Sequence, residues 1–325
     1  MVQAALPIDL PPLVRDLDLV ESALRASVVA DDPFLEQVAQ HLIKAGGKRL
    51  RPVLTLASAY AGGATASDDV VQGAVAVELV HLGSLYHDDV MDESMTRRGQ
   101  PTANARHGNF VAIVAGDYCL ARSAQIAARL GTAVAGLLGA TIGRLCEGQV
   151  GELHHLYSPD RPEVAYFTSI SGKTASLMAA ACRVGALTTG LSDSATDALT
   201  RYGDRVGMVF QVVDDILDVV ATDEQLGKPA GNDLLEGVYT LPVLRGLLDP
   251  AIGEELRAAL AARVDRSGLD RVRKLVRASS GIESAVAVAR GLADEAAAAL
   301  APLSPTDARR EMAGLGHVLI DRLPL

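Results

Sequence analysis

The chain has no tryptophan, 3% aromatic residues and three cysteines among 325 residues. Each scarcity excludes something. Sheet-rich folds lean on aromatic and β-branched residues, whereas alanine, leucine and valine dominate this 49% hydrophobic chain, which favours helices. Cys119, Cys146 and Cys182 never fall into a CxxC pair, so neither a disulfide framework nor a zinc site is expected, and a reducing cytoplasm is. A net charge of −10 argues against a general nucleic-acid binder. The longest charge-free apolar stretches, such as Thr132 to Gly143, fall short of the roughly 18 residues that span a bilayer, so no stable membrane insertion is expected. The opening MVQAALPIDLPPLVRD lacks a basic segment followed by an apolar run, and so does not read as a secretory signal.

No Gly/Ser linker or low-complexity tract interrupts the chain, and helical patterning runs nearly throughout. The expectation is one all-α domain over 1–325, of about a dozen helices around a central cavity, with 1–30 as a peripheral segment. After Pro7, Pro11 and Pro12 a helix runs to about Val29. Asp31-Asp32-Pro33 starts the next, which Gly46-Gly47 ends; another runs from Arg51-Pro52 to Ala61-Gly62-Gly63. Ser67 to Asp92 reads as one long helix, and Arg97 to Pro101 as a loop. Helices follow over roughly 110–130, 133–153, 174–189 and 195–221, then a loop from Gly227 to Gly237 and several amphipathic helices. No stretch reads as a strand.

What is abundant is local acid. HDDVMDES packs Asp88, Asp89 and Asp92 into five positions, and DDILD repeats the pattern with Asp214, Asp215 and Asp218. At about 100° per residue, Asp88 and Asp92 share a helix face, as do Asp214 and Asp218, with Asp89 and Asp215 to the side. Such runs are usually solvated surface. These are set among Tyr86, Val90 and Met91, and among Val212, Val213, Ile216, Leu217, Val219 and Val220. Carboxylates in apolar surroundings are driven toward protonation unless cations compensate. Two such clusters on facing helices would form a cage of oxygen ligands for Mg²⁺, which binds a few carboxylates together with substrate phosphates.

Basic groups complete the pattern. Lys48 and Arg51 stand three apart at a helix start, where free N–H groups also favour an anion. Arg97 and Arg98 follow the first cluster, Lys173 opens a helix with Thr174, and Lys228 lies ten residues past the second cluster. In a chain of net −10 these point to a polyanion bridged by metal. Gly172-Lys173-Thr174 is not the end of a P-loop, because Phe167 stands where the first glycine belongs and no strand precedes it.

GGKRLRP, HDDVMDES…RRGQP, SGKTASL and FQVVDDILD…GKPAGNDLLEG, in this order, resemble the trans-isoprenyl diphosphate synthases, the head-to-tail prenyltransferases of the polyprenyl synthetase family. The resemblance implies an all-α fold, usually a homodimer, that condenses an allylic diphosphate with isopentenyl diphosphate. It implies Mg²⁺, three ions with substrate bound, on Asp88, Asp89 and Asp92 and on Asp214, Asp215 and Asp218. Lys48, Arg51, His81 and Arg98 match the isopentenyl diphosphate site. Arg97, Lys173, Thr174 and Gln211 match contacts to the allylic diphosphate, with Lys228 as a further phosphate contact; Lys173, Thr174 and Gln211 also face the allylic cation. Helix geometry is consistent: His81 is seven residues before Asp88 and Gln211 three before Asp214. The chain departs from the usual EGKxTLP loop at Val238, which removes a lysine.

Product length is read from the stripe below Asp88: Ser84 with its neighbour Gly83, then Val80, Val77 and Gly73. Small residues here either leave a tunnel open or let helices pack closely. Short-chain members of the family often carry an aromatic floor at these positions, so with small residues here the resemblance implies a product of about seven to ten isoprene units; a shorter geranylgeranyl or farnesyl product is the alternative. Three rivals remain. Glu78-x-x-His81 and Glu152-x-x-His155 fit a di-iron helical bundle. A terpene cyclase or head-to-head enzyme shares the Mg²⁺ chemistry but has no need of the Lys48/Arg51/His81 pocket. A silent regulatory subunit is the third.

Overall fold

The computed structural model describes residues 8–226 and 230–324. Among them it is helical apart from one small hairpin. The elements are α1 (Pro11–Ser27), α2 (Pro33–Ala39), α3 (His41–Lys44), α4 (Leu50–Ala61) and α5 (Asp68–Met91). A hairpin of β1 (Thr96–Arg97) and β2 (Gln100–Pro101) leads to α6 (Ala103–His107), α7 (Asn109–Leu130) and α8 (Thr132–Leu153). Next come α9 (Glu163–Ile170), a π-helical turn (Ser171–Ala175), α10 (Ser176–Thr188), α11 (Asp193–Val220), α12 (Asp223–Leu226) and α13 (Asn232–Glu236). The chain continues as α14 (Leu241–Gly246), α15 (Gly253–Ala259), α16 (Arg266–Ala278), α17 (Gly281–Ala299) and α18 (Asp307–Ile320).

Side-chain caps set several boundaries. Asp32 accepts the N–H groups of Phe34 and Leu35 ahead of Pro33, and Ser67 accepts from Val70 N–H at the start of α5. By contact density the chain divides into two compact units. One comprises the residues up to 142 with 177–203 and 299–313; the other comprises 143–176, 204–298 and 314 onward.

In the first unit α5 is the core. From Val70 to Val80 every residue but Gln72 is buried, as expected of a helix that is apolar all round. α1 buries Leu13, Val20 and Leu24 and ties Asp16 to the Tyr60 hydroxyl at 2.6 Å. Within the segment expected to be peripheral, Pro11–Ser27 form a packed helix, because the apolar residues repeat at helical spacing. Tyr86 is fully buried; its hydroxyl donates to Val38 O at 2.5 Å and accepts from Leu42 N–H at 3.2 Å, joining α5 to the α2–α3 junction. Tyr86→Phe strands both backbone groups and is expected to cost about 1–3 kcal/mol in urea unfolding, with turnover retained at low temperature.

The second unit has its own core, in which Val212, Ile216 and Val219 of α11 pack with Leu241, Val243 and Val276. Two local features differ from the sequence reading. The Arg97–Pro101 loop is a hairpin turn, with Arg98 and Gly99 both at positive φ (53° and 72°), the backbone that a two-residue turn between twisted strands demands. Its strands are two residues each, too short to leave a periodic signal. Lys173 and Thr174 do not open a helix: they lie in the π-turn inside one helical run from Glu163 to Thr188. Gly148 of α8 meets Gly172 there backbone to backbone, since a Cβ on Gly172 would come within 2.9 Å of the Gly148 Cα.

Candidate active site

In the first unit, the last turn of α5 carries the first acidic cluster. Asp88 is half-buried and Asp92, the C-cap, is exposed. Asp89 is wholly buried and ion-paired with Arg97 Nε at 2.6 Å. Burial raises the Asp89 pKa despite the opposing pull of Arg97. The expected ligand Asp89 and the expected phosphate contact Arg97 thus engage each other, because one helical position aside from Asp88 points into the protein. The pair anchors the hairpin, and Asn104 Nδ2 adds hydrogen bonds to the carbonyls of Asp89 (3.1 Å) and Ser94 (3.0 Å).

Beside this cluster lies a cationic pocket. Arg98 rests on Gly47, where any side chain would collide: a Cβ would stand 2.8 Å from its Nη1. Arg51 has a buried Nε without a hydrogen-bond partner. Its pKa is lowered by burial and by Arg98, against Glu78 and Asp88. His81 is held well below the ordinary histidine value, first by burial and then by Arg51, Arg98, Arg97 and Arg49. Arg51, His81 and Arg98 therefore share one field, while Lys48 is exposed just ahead of α4.

Sequence reasoning passed over what supports this pocket. Arg49, in the left-handed conformation at the N-cap of α4, is buried; its Nη1 pairs with Glu78 at 3.0 Å, its Nη2 donates to Ile43 O at 3.1 Å and its Nε pairs with Glu21. The buried acid one turn before His81 was the available signal: an isolated Glu78 inside an apolar helix requires a cation.

Farther down α5 the face closes. Ser84 is half-buried and donates to His81 O at 2.9 Å, whereas Val80 and Val77 are fully buried. At Gly83, α5 and α7 approach closely; a Cβ there would meet Leu120 Cγ at 2.9 Å and Gly116 O at 3.0 Å. Gly83 is a packing position.

In the second unit, α11 carries the other cluster. Asp214 is exposed. Asp215 is buried and accepts from the Tyr166 hydroxyl at 2.5 Å and from Gln211 Nε2 at 2.8 Å, while Gln211 Oε1 accepts from the Thr174 hydroxyl at 2.7 Å. Burial pushes the Asp215 pKa up to about 7, these hydrogen bonds opposing it. Asp218 is buried and accepts the N–H groups of Asn232 (3.3 Å) and Asp233 (3.1 Å), fixing α13. Lys173 Nζ pairs with Glu152 at 2.7 Å. Lys228 lies outside the described residues. Val238 donates its N–H to Asp233 O at 2.8 Å as the chain leaves α13.

Of the six aspartates, then, Asp92 and Asp214 are exposed and Asp88 is half-buried, while Asp89, Asp215 and Asp218 are buried. Among the described residues no group of three or more acidic, histidine or cysteine side chains converges as a metal site. Mg²⁺ does not need one: it takes one or two carboxylates plus phosphate oxygens and water, and accessible aspartates fit it. The di-iron alternative fits poorly, because Glu78 and Glu152 are the partners of Arg49 and Lys173.

The model of the polyprenyl synthetase family matches residues 32–279. This chain belongs to the polyprenyl synthetase family. It is a prenyltransferase of isoprenoid biosynthesis, with the all-α isoprenoid synthase fold. Heptaprenyl diphosphate synthase component 2 of Geobacillus stearothermophilus is 41% identical over 91% of this chain and 92% of its own length. The nonaprenyl diphosphate synthase of Mycobacterium tuberculosis is 38% identical over 95% and 92%. Among solved structures, a polyprenyl synthase from Caulobacter crescentus, complexed with calcium and isoprenyl diphosphate, superposes with a TM-score of 0.90 at 33% identity, over 97% of this chain and 98% of that one. The family uses Mg²⁺. No helix among the described residues is long and apolar enough to cross a membrane.

Proposed function

We propose that this prenyltransferase joins isopentenyl diphosphate head-to-tail to an allylic diphosphate, repeatedly, to a long product of about C35–C50, the range its heptaprenyl and nonaprenyl relatives suggest. The observation that carries the site assignment is the accessible pair Asp88/Asp92 standing beside the Arg51/His81/Arg98 pocket, with Asp88 close enough to act on Arg51. A carboxylate pair and a cation cluster side by side suit two diphosphates held differently, one through metal and one directly. Heptaprenyl and nonaprenyl relatives at about 40% identity support the long product.

In this reading Asp88 and Asp92 on α5, and Asp214 on α11, would hold Mg²⁺, three ions in all, with the oxygens of the allylic diphosphate. Asp89, Asp215 and Asp218 brace the helices that carry them. When bound, Mg²⁺ neutralises charge on the leaving pyrophosphate. Arg51, Arg98, His81 and Lys48 hold isopentenyl diphosphate; Lys173, with Arg97 and Lys228, donates to the allylic diphosphate. The allylic C–O bond breaks, and its electron pair leaves with pyrophosphate. The Thr174 hydroxyl and the Gln211 carbonyl, ordered by their mutual hydrogen bond, face the cation with their lone pairs. The double bond of isopentenyl diphosphate supplies the new C–C bond, and the departing pyrophosphate takes the proton, so no protein base is required.

The chain works as one catalytic domain in the cytoplasm, as a homodimer. Exposed Phe110, Ile113 and Val114 on α7, and Gly136, Gly139 and Gly143 on α8 with open space beside them, support a helix-on-helix partner face. Incubation with Mg²⁺, isopentenyl diphosphate and a series of allylic primers, followed by sizing of the products, tests the reading. Pyrophosphate release that does not depend on isopentenyl diphosphate would overturn it in favour of a cyclase. Ser84→Phe is expected to shorten the product, since an added ring obstructs the stripe below Asp88; an unchanged product distribution removes Ser84 from the tail's path.

A further inference from the structure

Glu152 was singled out in the sequence as part of a metal-binding pattern, and the function leaves it without a task. Its surroundings supply one. Lys173 Nζ pairs with Glu152 Oε1 at 2.7 Å. Close by is Arg161, which no motif marks. It is 5% exposed, its Cζ lies 5.5 Å from the Tyr166 ring centroid, and its Nη1 donates to Tyr239 O at 3.2 Å. Its Nε and Nη2 are buried with no partner. Of the charges that favour the ionised guanidinium, that of Glu152 acts most strongly on it, ahead of Asp215. A buried guanidinium with two idle donors is costly, and an adjacent carboxylate relieves the cost once it is released from another cation. Glu152 sits in the last turn of α8, on a side chain with three rotatable bonds.

We infer that Glu152 is a two-position counter-ion: it holds Lys173 while the site is empty and passes to the idle donors of Arg161 when a diphosphate takes Lys173. This rests on the reading of Lys173 as a diphosphate contact. Without the second position, drawing Lys173 to substrate strands a half-buried carboxylate. With it, one ion pair is exchanged for another. No bond is made or broken beyond hydrogen bonds, and no proton moves. Glu152 and Arg161 are thus positioning residues, acting on substrate through Lys173. The same Arg161 covers Tyr166, which braces Asp215, so the exchange occurs against the residues that order Gln211 and Thr174.

The test uses the full chain with Mg²⁺ and inorganic pyrophosphate, titrated by calorimetry, together with KM and kcat for farnesyl diphosphate at saturating isopentenyl diphosphate. Arg161→Gln is expected to weaken pyrophosphate binding and to raise KM by about tenfold, the equivalent of one charge-assisted hydrogen bond, with kcat little changed. Arg161→Lys should recover most of the loss. Glu152→Gln, which removes the carboxylate needing a second position, should bind pyrophosphate at least as well as the parent. Adding Arg161→Gln to Glu152→Gln should then cost nothing further. An equal loss from Arg161→Gln in both backgrounds overturns the exchange, as does the absence of a loss in the parent. Should Arg161→Gln fail to fold, Arg161→Lys in the two Glu152 backgrounds gives the same contrast at smaller size. Lys173→Ala separates the two levels. If it leaves pyrophosphate affinity unchanged, the diphosphate reading of Lys173 falls. If it weakens binding while the Arg161 effect survives in Glu152→Gln, the exchange alone falls.

Discussion

Asp88→Ala is expected to lower turnover by at least about a thousandfold, the scale of losing a group that fixes charge stabilisation in the transition state, and to leave the protein folded. Asp88 lies on the accessible side of the last turn of α5, and truncations at such positions change stability by about 0.5 kcal/mol or less. A carboxylate at a helix C-terminus faces the negative end of the helix dipole, whereas Asp88 also acts favourably on Arg51, so the two consequences of its removal oppose each other. The signature is a split between two measurements. The metal-free thermal midpoint should change little, while the rise produced by Mg²⁺ with pyrophosphate should disappear, since ligand stabilisation follows occupancy. Asp89→Asn should behave in the opposite way. Its carboxylate is buried against Arg97 and holds the hairpin, so its loss lowers stability first and activity through misplacement of Arg97 and Arg98. Near-normal turnover in Asp88→Ala would remove the metal assignment from α5.

These two neighbours show how much of the site was legible in the sequence. Helical spacing puts Asp88 one turn before Asp92, the C-cap of α5, and His81 two turns before Asp88, because i, i+4 and i, i+7 relations follow from helix geometry alone. It could not tell which carboxylates face solvent, since that depends on what packs beside each helix. Asp89, Asp215 and Asp218 each found partners far along the chain: Arg97, Tyr166, and the backbone at 232–233. The long helices were readable from their caps; Ser67 and Asp92 bound α5 as expected. What escaped were features too short to repeat. The hairpin at Thr96–Pro101 has no period, and the π-turn at Ser171–Ala175 differs from an α-helix by one extra residue in a turn, which composition does not encode. Gly83 reads from the sequence first as an open tunnel wall and second as a packing contact, and the position of Leu120 and Gly116 makes it a packing contact.

Arg49→Ala is the substitution expected to cost the most stability, about 3–5 kcal/mol, because it leaves a buried charge without its partner. Arg49 is 7% exposed and Glu78 2%, and no water-facing route lets Glu78 escape from a helix that is buried on all sides. Against a total stability of about 5–15 kcal/mol, the loss brings the protein near its threshold. The dependence on pH follows from Glu78. Burial already raises its pKa, with Arg49 as the first of the opposing charges, so removing Arg49 raises it further. A carboxyl whose folded pKa exceeds its unfolded value takes up a proton on folding, so its contribution is most favourable at low pH and is lost as pH rises through the folded pKa. Urea unfolding should therefore show the penalty of Arg49→Ala growing as pH rises above the ordinary carboxyl range. Glu78→Gln added to Arg49→Ala should recover much of the loss and flatten the pH dependence, since a neutral amide requires no counter-charge. Isopentenyl diphosphate binding should not recover with stability, because Arg49 also sets the left-handed turn from which α4 presents Arg51. A pH-independent penalty would show that Arg49 acts by packing and by its bond to Ile43 O, with Glu78 already neutral in the parent.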